Sequence, residues 1–257
     1  MQMMKICLWL FAALFYACAP PPVMRLDWTS EQGFEALLRL SAGQLEQVED
    51  LTAEAGIAVR SADGRDSGTA LVLLKQPDLF RFEIRGPLYS HIFTALLQGD
   101  SLTVDGSGIG GSWKGAVDGW LLTSLTGVDL RGYDLRYALL GIVAPGRVDA
   151  SNPVEYPRAD RALVTLVDGE RTRRIWVDLH RGLVTREVIE GDGGEVLLSR
   201  RLRDYRKIGD LYLPGRVVIE QEGMTIELEY RQYKLDRGIA DKHFFQGLRM
   251  EQVRRVN

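Results

Sequence analysis

The chain has 257 residues, 46% of them apolar and 26% charged, with a formal net charge of −3. That is an ordinary globular composition, sized for one large domain. The balance of 32 basic against 35 acidic residues excludes a general electrostatic case for nucleic acid. Cys7 and Cys18 both lie near the N-terminus, and His91, His180 and His243 are far apart. Disulfide, zinc and thiol chemistry are therefore poorly supplied, and no cofactor is expected.

Residues 1–18 read MQMMKICLWLFAALFYAC, with Lys5 ahead of an apolar run from Ile6 to Tyr16. The run is too short to span a bilayer and suits a signal-peptide core. Ala17-Cys18 resembles a bacterial lipobox, at which Cys18 is lipidated and becomes the new N-terminus. The alternative is an ordinary secretory signal cut at Ala17 or Ala19. The following Ala19-Pro20-Pro21-Pro22 cannot be helical and favours an extended tether. The expected organisation is a signal peptide over 1–17, a lipidated Cys18 and linker over 18–28, and one domain over 29–257.

Thr29 and Gln32 form a capping box, and Phe34, Leu37 and Leu38 share a helical face that Gly43 would end. From Leu45 the period changes to two. Ala53, Ala55, Ile57 and Val59 alternate along a first strand, and the acidic cluster Glu46, Glu49, Asp50 and Glu54 reads as a solvated strand face. Thr69 to Lys75 and the turn Gln76-Pro77-Asp78 follow. Phe80, Phe82 and Ile84 then alternate with Arg81, Glu83 and Arg85, giving one apolar and one solvated face, the mark of an antiparallel sheet. After Gly86-Pro87-Leu88-Tyr89 come strands over 92–98 and 101–105.

Gly106-Ser107-Gly108-Ile109-Gly110-Gly111 matches G-x-G-x-x-G, but no helix opens there and the sheet is antiparallel, so it reads as a hairpin loop. Two short helices follow, carrying Leu121, Leu125 and Val128, then Leu135, Ala138, Leu139 and Ile142, at helical spacing. Strands are predicted again over 161–168, 172–180, 183–190, 195–207, 211–221 and 224–234, before a less regular tail from Asp241. The plan is mainly β: about ten or eleven antiparallel strands curled into an open half-barrel, with an N-terminal helix and central helices covering its mouth.

There is no G-x-S-x-G elbow, and the three histidines do not form a dyad pattern, so no enzyme reading stands. His180 reads as solvated and His243 as packing beside Phe244 and Phe245. His91, at a loop, is the one histidine of interest. What remains is apolar surface. Phe80, Phe82, Ile84, Ile175, Val177, Val217, Ile219, Ile226 and Leu228 fall on one side of the sheet, where they fill a core or line a ligand cavity.

The stretches Leu79 to Leu88 and Gln98 to Asp105 resemble the LolB-like outer-membrane lipoprotein receptors of the LolA/LolB-like carrier superfamily. Leu125-Thr126-Gly127, Leu135, Leu139-Leu140-Gly141 and Pro145-Gly146 resemble that family's lid. Leu213 to Ile219 and Tyr230 to Phe245 resemble its closing strands. The resemblance spans residues 30–245. It implies an open β-barrel whose apolar cavity, lined by the nine residues above with Leu121, Leu125, Leu135 and Leu139 of the lid, holds acyl chains. It also implies a membrane-contact loop at Pro87, Leu88 and Tyr89, although the family usually has Gly where Tyr89 stands. The implied partners are acylated lipoproteins or other lipids, the inner leaflet of the outer membrane and a periplasmic lipoprotein carrier, with the protein monomeric. Two other readings stay open: a same-fold carrier of a glycolipid or polyisoprenoid, and a non-catalytic envelope scaffold.

Overall fold

Strict apolar alternation gives the first strands their two faces. The computed structural model describes residues 45, 47–62, 64–107, 109–117, 121–126, 132–141, 147–148, 154–168, 171–248 and 254–255. Strands β1 (Asp50–Ser61), β2 (Gly64–Lys75), β3 (Leu79–Arg85), β4 (His91–Gln98), β5 (Ser101–Gly106) and β6 (Gly111–Ala116) form an antiparallel meander. Helices α1 (Leu121–Thr126) and α2 (Gly132–Leu140) interrupt it. The chain returns through β7 (Arg147–Val148), β8 (Glu155–Arg158), β9 (Arg161–Asp168), β10 (Arg171–Asp178), β11 (Leu183–Glu190) and β12 (Val196–Arg203). A small hairpin, β13 (Arg206–Ile208) with β14 (Leu211–Leu213), precedes β15 (Arg216–Gln221) and β16 (Met224–Leu235). A short helix α3 (Lys242–Phe245) and strand β17 (Arg254–Arg255) end the described chain.

Among the described residues, fifteen strands join one curled sheet whose order runs from β17-β6 through β1-β16 to β9-β7, with β8 paired to β9. Its two ends do not meet, so the sheet is an open half-barrel. The inner face carries a single apolar cluster. It combines Ala53, Val72, Phe80, Leu97 and Val104 from the meander with Val164, Ile175, Leu198, Val217 and Leu228 from the second half. Full burial of each such Val, Leu, Ile or Phe is worth roughly 1.5–3 kcal/mol, which makes this face the dominant stabilising feature.

A β-bulge adjusts the facing of β16. Glu54 pairs with Gln232 and Ala55 with Tyr230, leaving Arg231 as the extra residue. Tyr230 and Tyr233 therefore both turn inward, and their rings stack with centroids 5.0 Å apart.

Several expectations need correction. Leu45 is helical and the first strand starts at Asp50. The strands predicted over 195–207 and 211–221 each break, at Asp204 and at Pro214-Gly215. There Asp204 adopts a φ of 56° and the Gly215 N–H donates to the Arg203 and Asp204 carbonyls. The β13–β14 hairpin is what lies between the breaks.

The outer face of β3 is not solvated: Arg81 and Glu83 are buried. They lie beneath the segment from Asp236 to Leu248, where Phe244 closes a second apolar cluster with Leu73, Leu79 and Leu96. Asp50, expected on a solvated face, is 2% exposed because it anchors that segment. His243, expected to pack, is exposed, and it is Phe244 that packs. Cys18, the linker, the predicted N-terminal helix, Glu46, Gly127, Val128, Ile142 and Pro145-Gly146 lie outside the described residues.

Candidate functional site: a lidded inner face, an exposed hairpin tip and an outer cleft

The two helices sit on the inner face because their apolar stripes have nowhere else to be covered. Leu121 of α1 and Leu135, Ala138, Leu139 and Leu140 of α2 are buried in the same cluster as the sheet residues. Of the predicted cavity residues, Phe80, Phe82, Leu121, Leu135, Leu139, Ile175, Val177, Val217, Ile219 and Leu228 are buried in it, and Ile84, Leu125 and Ile226 pack partly buried against it. The structure thus brings all thirteen together under a closed lid.

Polar groups tie the lid to the sheet. Glu187 of β11 accepts hydrogen bonds from Arg173 Nε and Nη2 at 2.9 and 2.5 Å, and Arg200 Nη2 stands 2.6 Å from its other oxygen. Arg200 Nη1 then donates to the Tyr137 carbonyl of α2 at 2.6 Å. All three charged residues are buried. Burial by itself would raise the Glu187 carboxyl, but the Arg200 and Arg173 guanidiniums outweigh it and hold the group below the usual carboxylate range. Nearby, the Tyr230 hydroxyl donates to the Leu139 carbonyl at 3.3 Å, and burial pushes its phenol upward. The helix stops at Gly141, whose φ is +75°; a Cβ there would stand 2.8 Å from the Tyr205 hydroxyl. Beside its apolar packing, the lid is therefore fastened through backbone carbonyls of α2, bonds that opening would break and closing would remake.

The predicted membrane-contact loop is a 3₁₀ turn, Pro87–Tyr89, at the tip of the β3–β4 hairpin. The Gly86 N–H donates to the Ser90 carbonyl at 2.8 Å, and the Ser90 N–H to the Pro87 carbonyl at 3.2 Å. Leu88 is 98% exposed and holds the left-handed conformation, φ 55° and ψ 29°. Ile92, just beyond the tip, is a second exposed aliphatic side chain.

On the outer face a cleft of about 790 Å³ lies between β1–β4 and the C-terminal segment. Leu71 and Leu73 give it an apolar floor, and Arg81, Glu83, Arg85, His91, Arg237 and His243 its polar walls. Glu83 accepts from Arg81 and from Arg85, and Arg81 Nη1 reaches the Phe244 carbonyl at 2.8 Å. Burial of Glu83 is again outweighed, here by its bonds to Arg85 and Arg81, which keep it low. His91 Nε2 is 2.9 Å from Thr94 Oγ1 and 3.8 Å from Asp105 Oδ2.

The roof of the cleft is held by a carboxylate clip. Asp50 accepts from the backbone N–H groups of Arg237, Gly238 and Ile239 at 2.9, 2.7 and 3.0 Å. Asp236 Oδ1 in turn accepts from the Glu49 and Asp50 N–H groups. Among the described residues no group of three or more His, Cys, Asp or Glu could hold a metal ion, and no helix is long and apolar enough to cross a membrane.

An open antiparallel half-barrel with helices over its apolar inner face defines the class of fold. No protein-family model matches the chain, and no curated protein matches it by sequence. Its fold matches solved structures. A DUF1329 family protein from Desulfovibrio piger has a TM-score of 0.62 at 13% identity. An outer-membrane lipoprotein-sorting protein domain from Vibrio parahaemolyticus has 0.59 at 11%. A LolA superfamily protein from Nitrosomonas europaea has 0.55 at 16%. Each alignment covers 82% of this chain and 96% of the other. The chain has the LolA/LolB-like fold.

Sequence reasoning missed the Arg173–Glu187–Arg200 triad and the carboxylate clip. A signal for the triad was present: Arg200 falls between Leu198 and Leu202 at the inward parity of β12. Glu187 was harder to place, because Trp176 pairs with Arg186 while Val177 pairs with Val184, an irregularity that resets the facing of β11.

Proposed function

We propose that this chain is an outer-membrane lipoprotein, anchored through Cys18 and facing the periplasm, that takes the acyl chains of lipoproteins and delivers them to the membrane. The observation that carries the reading is the closed lid: α1 and α2 cover a largely apolar face, and α2 is fastened to it through its backbone carbonyls. An acyl chain displaces that packing at little net cost, exchanging Leu and Phe contacts for methylene contacts worth about 0.8 kcal/mol per CH₂. Cys18 and the proline-rich tether keep the carrier at the membrane and raise its effective concentration there. Leu88, with Pro87 and Tyr89, enters the bilayer at delivery, and Tyr89 suits the headgroup boundary. A periplasmic carrier supplies the cargo.

Native mass spectrometry of the chain from Cys18 onward, incubated with a triacylated lipoprotein, tests the reading. Stoichiometric capture that disappears when the lipoprotein is deacylated is the expected result. Capture of free envelope lipids alone assigns the same fold to a glycolipid or polyisoprenoid, and no lipid-dependent adduct leaves an envelope scaffold. Leu88→Glu is expected to preserve capture and slow delivery to vesicles on the order of tenfold, because a carboxylate resists entry into hydrocarbon.

A further inference from the structure

The outer cleft has no part in holding acyl chains, since the sheet separates it from the inner face. Its position is nonetheless tied to the hairpin tip. Arg85 and His91, which line it, are register partners at the root of the β3–β4 hairpin. Each is three residues from Leu88, so the cleft mouth stands at most about 10 Å behind the tip. The headgroup layer of one leaflet is roughly 5–8 Å deep. A tip that reaches the acyl boundary therefore brings Arg85 and His91 to the level of the lipid phosphates.

The chemistry of the walls suits that level. Among the described residues lining the cleft, Arg81, Arg85 and Arg237 face a single carboxylate, Glu83, which Arg81 and Arg85 already share. Asp105, 3.8 Å from His91, and Asp50, which accepts from the Arg237, Gly238 and Ile239 N–H groups, stand behind the walls without lining the cleft, so the excess of positive charge belongs to the lining itself. His91 and His243 add imidazole N–H donors. Leu71 and Leu73 offer apolar surface for the first carbons attached to a phosphate. Guanidinium groups next to imidazoles recognise phosphate oxygens through charge-assisted hydrogen bonds.

The geometry points to a binding site in this cleft for the phosphodiester headgroup of an anionic membrane lipid. This rests on the reading of Leu88 as the membrane-contact residue. It adds that the outer face selects the lipid surface on which delivery occurs, while the inner face holds the cargo.

The chain has only three histidines, so their ring resonances form a simple NMR probe: His91 and His243 line the cleft, and His180 serves as the control. The full chain is placed in phosphatidylcholine nanodiscs with or without phosphatidylglycerol. It is also titrated, in phosphatidylcholine discs, with water-soluble glycerophosphoglycerol and with inorganic phosphate. Phosphatidylglycerol and the soluble headgroup are expected to move His91 and His243 and leave His180 in place. Arg237→Gln, an exposed position, should weaken both responses at least about threefold. No movement of His91 and His243 with either probe overturns the cleft, whatever Leu88 does. Inorganic phosphate acting as strongly as the soluble headgroup overturns the lipid assignment in favour of free phosphate. Leu88→Glu should abolish the disc response and keep the response to the soluble headgroup. A disc response unchanged by Leu88→Glu would overturn the membrane-contact reading and leave the cleft standing.

Discussion

The two faces of the sheet are built on opposite principles. On the inner face, apolar side chains from both halves of the chain meet two short helices, and buried polar groups fasten the second of them, α2, by its carbonyls. On the outer face, a cleft rich in guanidinium groups is roofed by a segment without regular structure apart from α3. That segment is held by the buried Asp50 carboxylate, by Arg81 and Lys75 at the Phe244 and Ile239 carbonyls, and by the Phe244 ring. Apolar packing is non-directional, so a lidded apolar face can exchange one filling for another. Hydrogen-bonded charge is directional, so the outer cleft keeps its shape and selects by charge. Cargo of variable length belongs with the first design, and a fixed headgroup with the second.

The largest expected effect comes from breaking the polar fastening of the inner face. Glu187→Ala leaves Arg173 and Arg200 buried beside each other without their shared carboxylate. Removing one partner of a buried ion pair costs about 3–5 kcal/mol. The midpoint of denaturant unfolding should fall accordingly, and amide exchange should rise first in α2, whose Tyr137 carbonyl Arg200 holds. Protonation attacks the same contact. The Glu187, Glu83 and Asp50 carboxyls are all held below their ordinary values, Asp50 by the N–H groups of Arg237, Ile239 and Gly238 against the effect of its burial. The unfolded chain therefore binds more protons than the folded one on the acid side. Stability is full above the ordinary carboxylate range near pH 4 and is lost as pH falls through the depressed folded values. A titration of the unfolding midpoint from pH 7 to pH 3 should show that slope, and Glu187→Ala should flatten it.

Phe244→Ala is the matching test on the outer face. Phe244 is fully buried and joins a cluster of only three other buried residues, Leu73, Leu79 and Leu96. Truncating a buried Phe costs about 3 kcal/mol or more in a large core, and this small satellite cluster places the expected loss at the lower end. Exchange should rise from Arg237 to Leu248 and leave α2 protected. A rise in α2 as well would show that the two faces are coupled through the sheet and would end the separation drawn above.

The sequence made the inner face legible because its signal is periodic. Phe80, Phe82 and Ile84, or Ala53, Ala55 and Ile57, announce their parity without reference to anything distant. The outer face was misread for the converse reason. Arg81 and Glu83 look solvated when only their own strand is considered, and what buries them, the Phe244 segment, lies some 160 residues further on. Asp50 likewise looks like one acid among Glu46, Glu49 and Glu54 until the chain returns to offer it three consecutive N–H groups. Long-range polar contacts leave no local period. The bulge at Arg231 had the same effect on β16, since an inserted residue reverses the facing of everything after it.

Leu88 offers the smallest stability effect and the sharpest division between stability and use. Its left-handed conformation costs a non-glycine residue about 1–2 kcal/mol, and its side chain, 98% exposed, recovers nothing by burial. Glycine adopts this conformation without the steric penalty but loses about 0.5–1 kcal/mol of it again through the greater freedom of the unfolded chain. Leu88→Gly should therefore leave stability unchanged or raise it by up to about 1.5 kcal/mol, as read from the unfolding midpoint. Capture of an acylated lipoprotein should also be unchanged, while its delivery to vesicles should fall. If delivery survives this substitution, an exposed leucine in a costly conformation has no use at the membrane and the reason for it must be sought within the hairpin. If only delivery falls, the strain at the tip maintains an apolar point aimed at a bilayer.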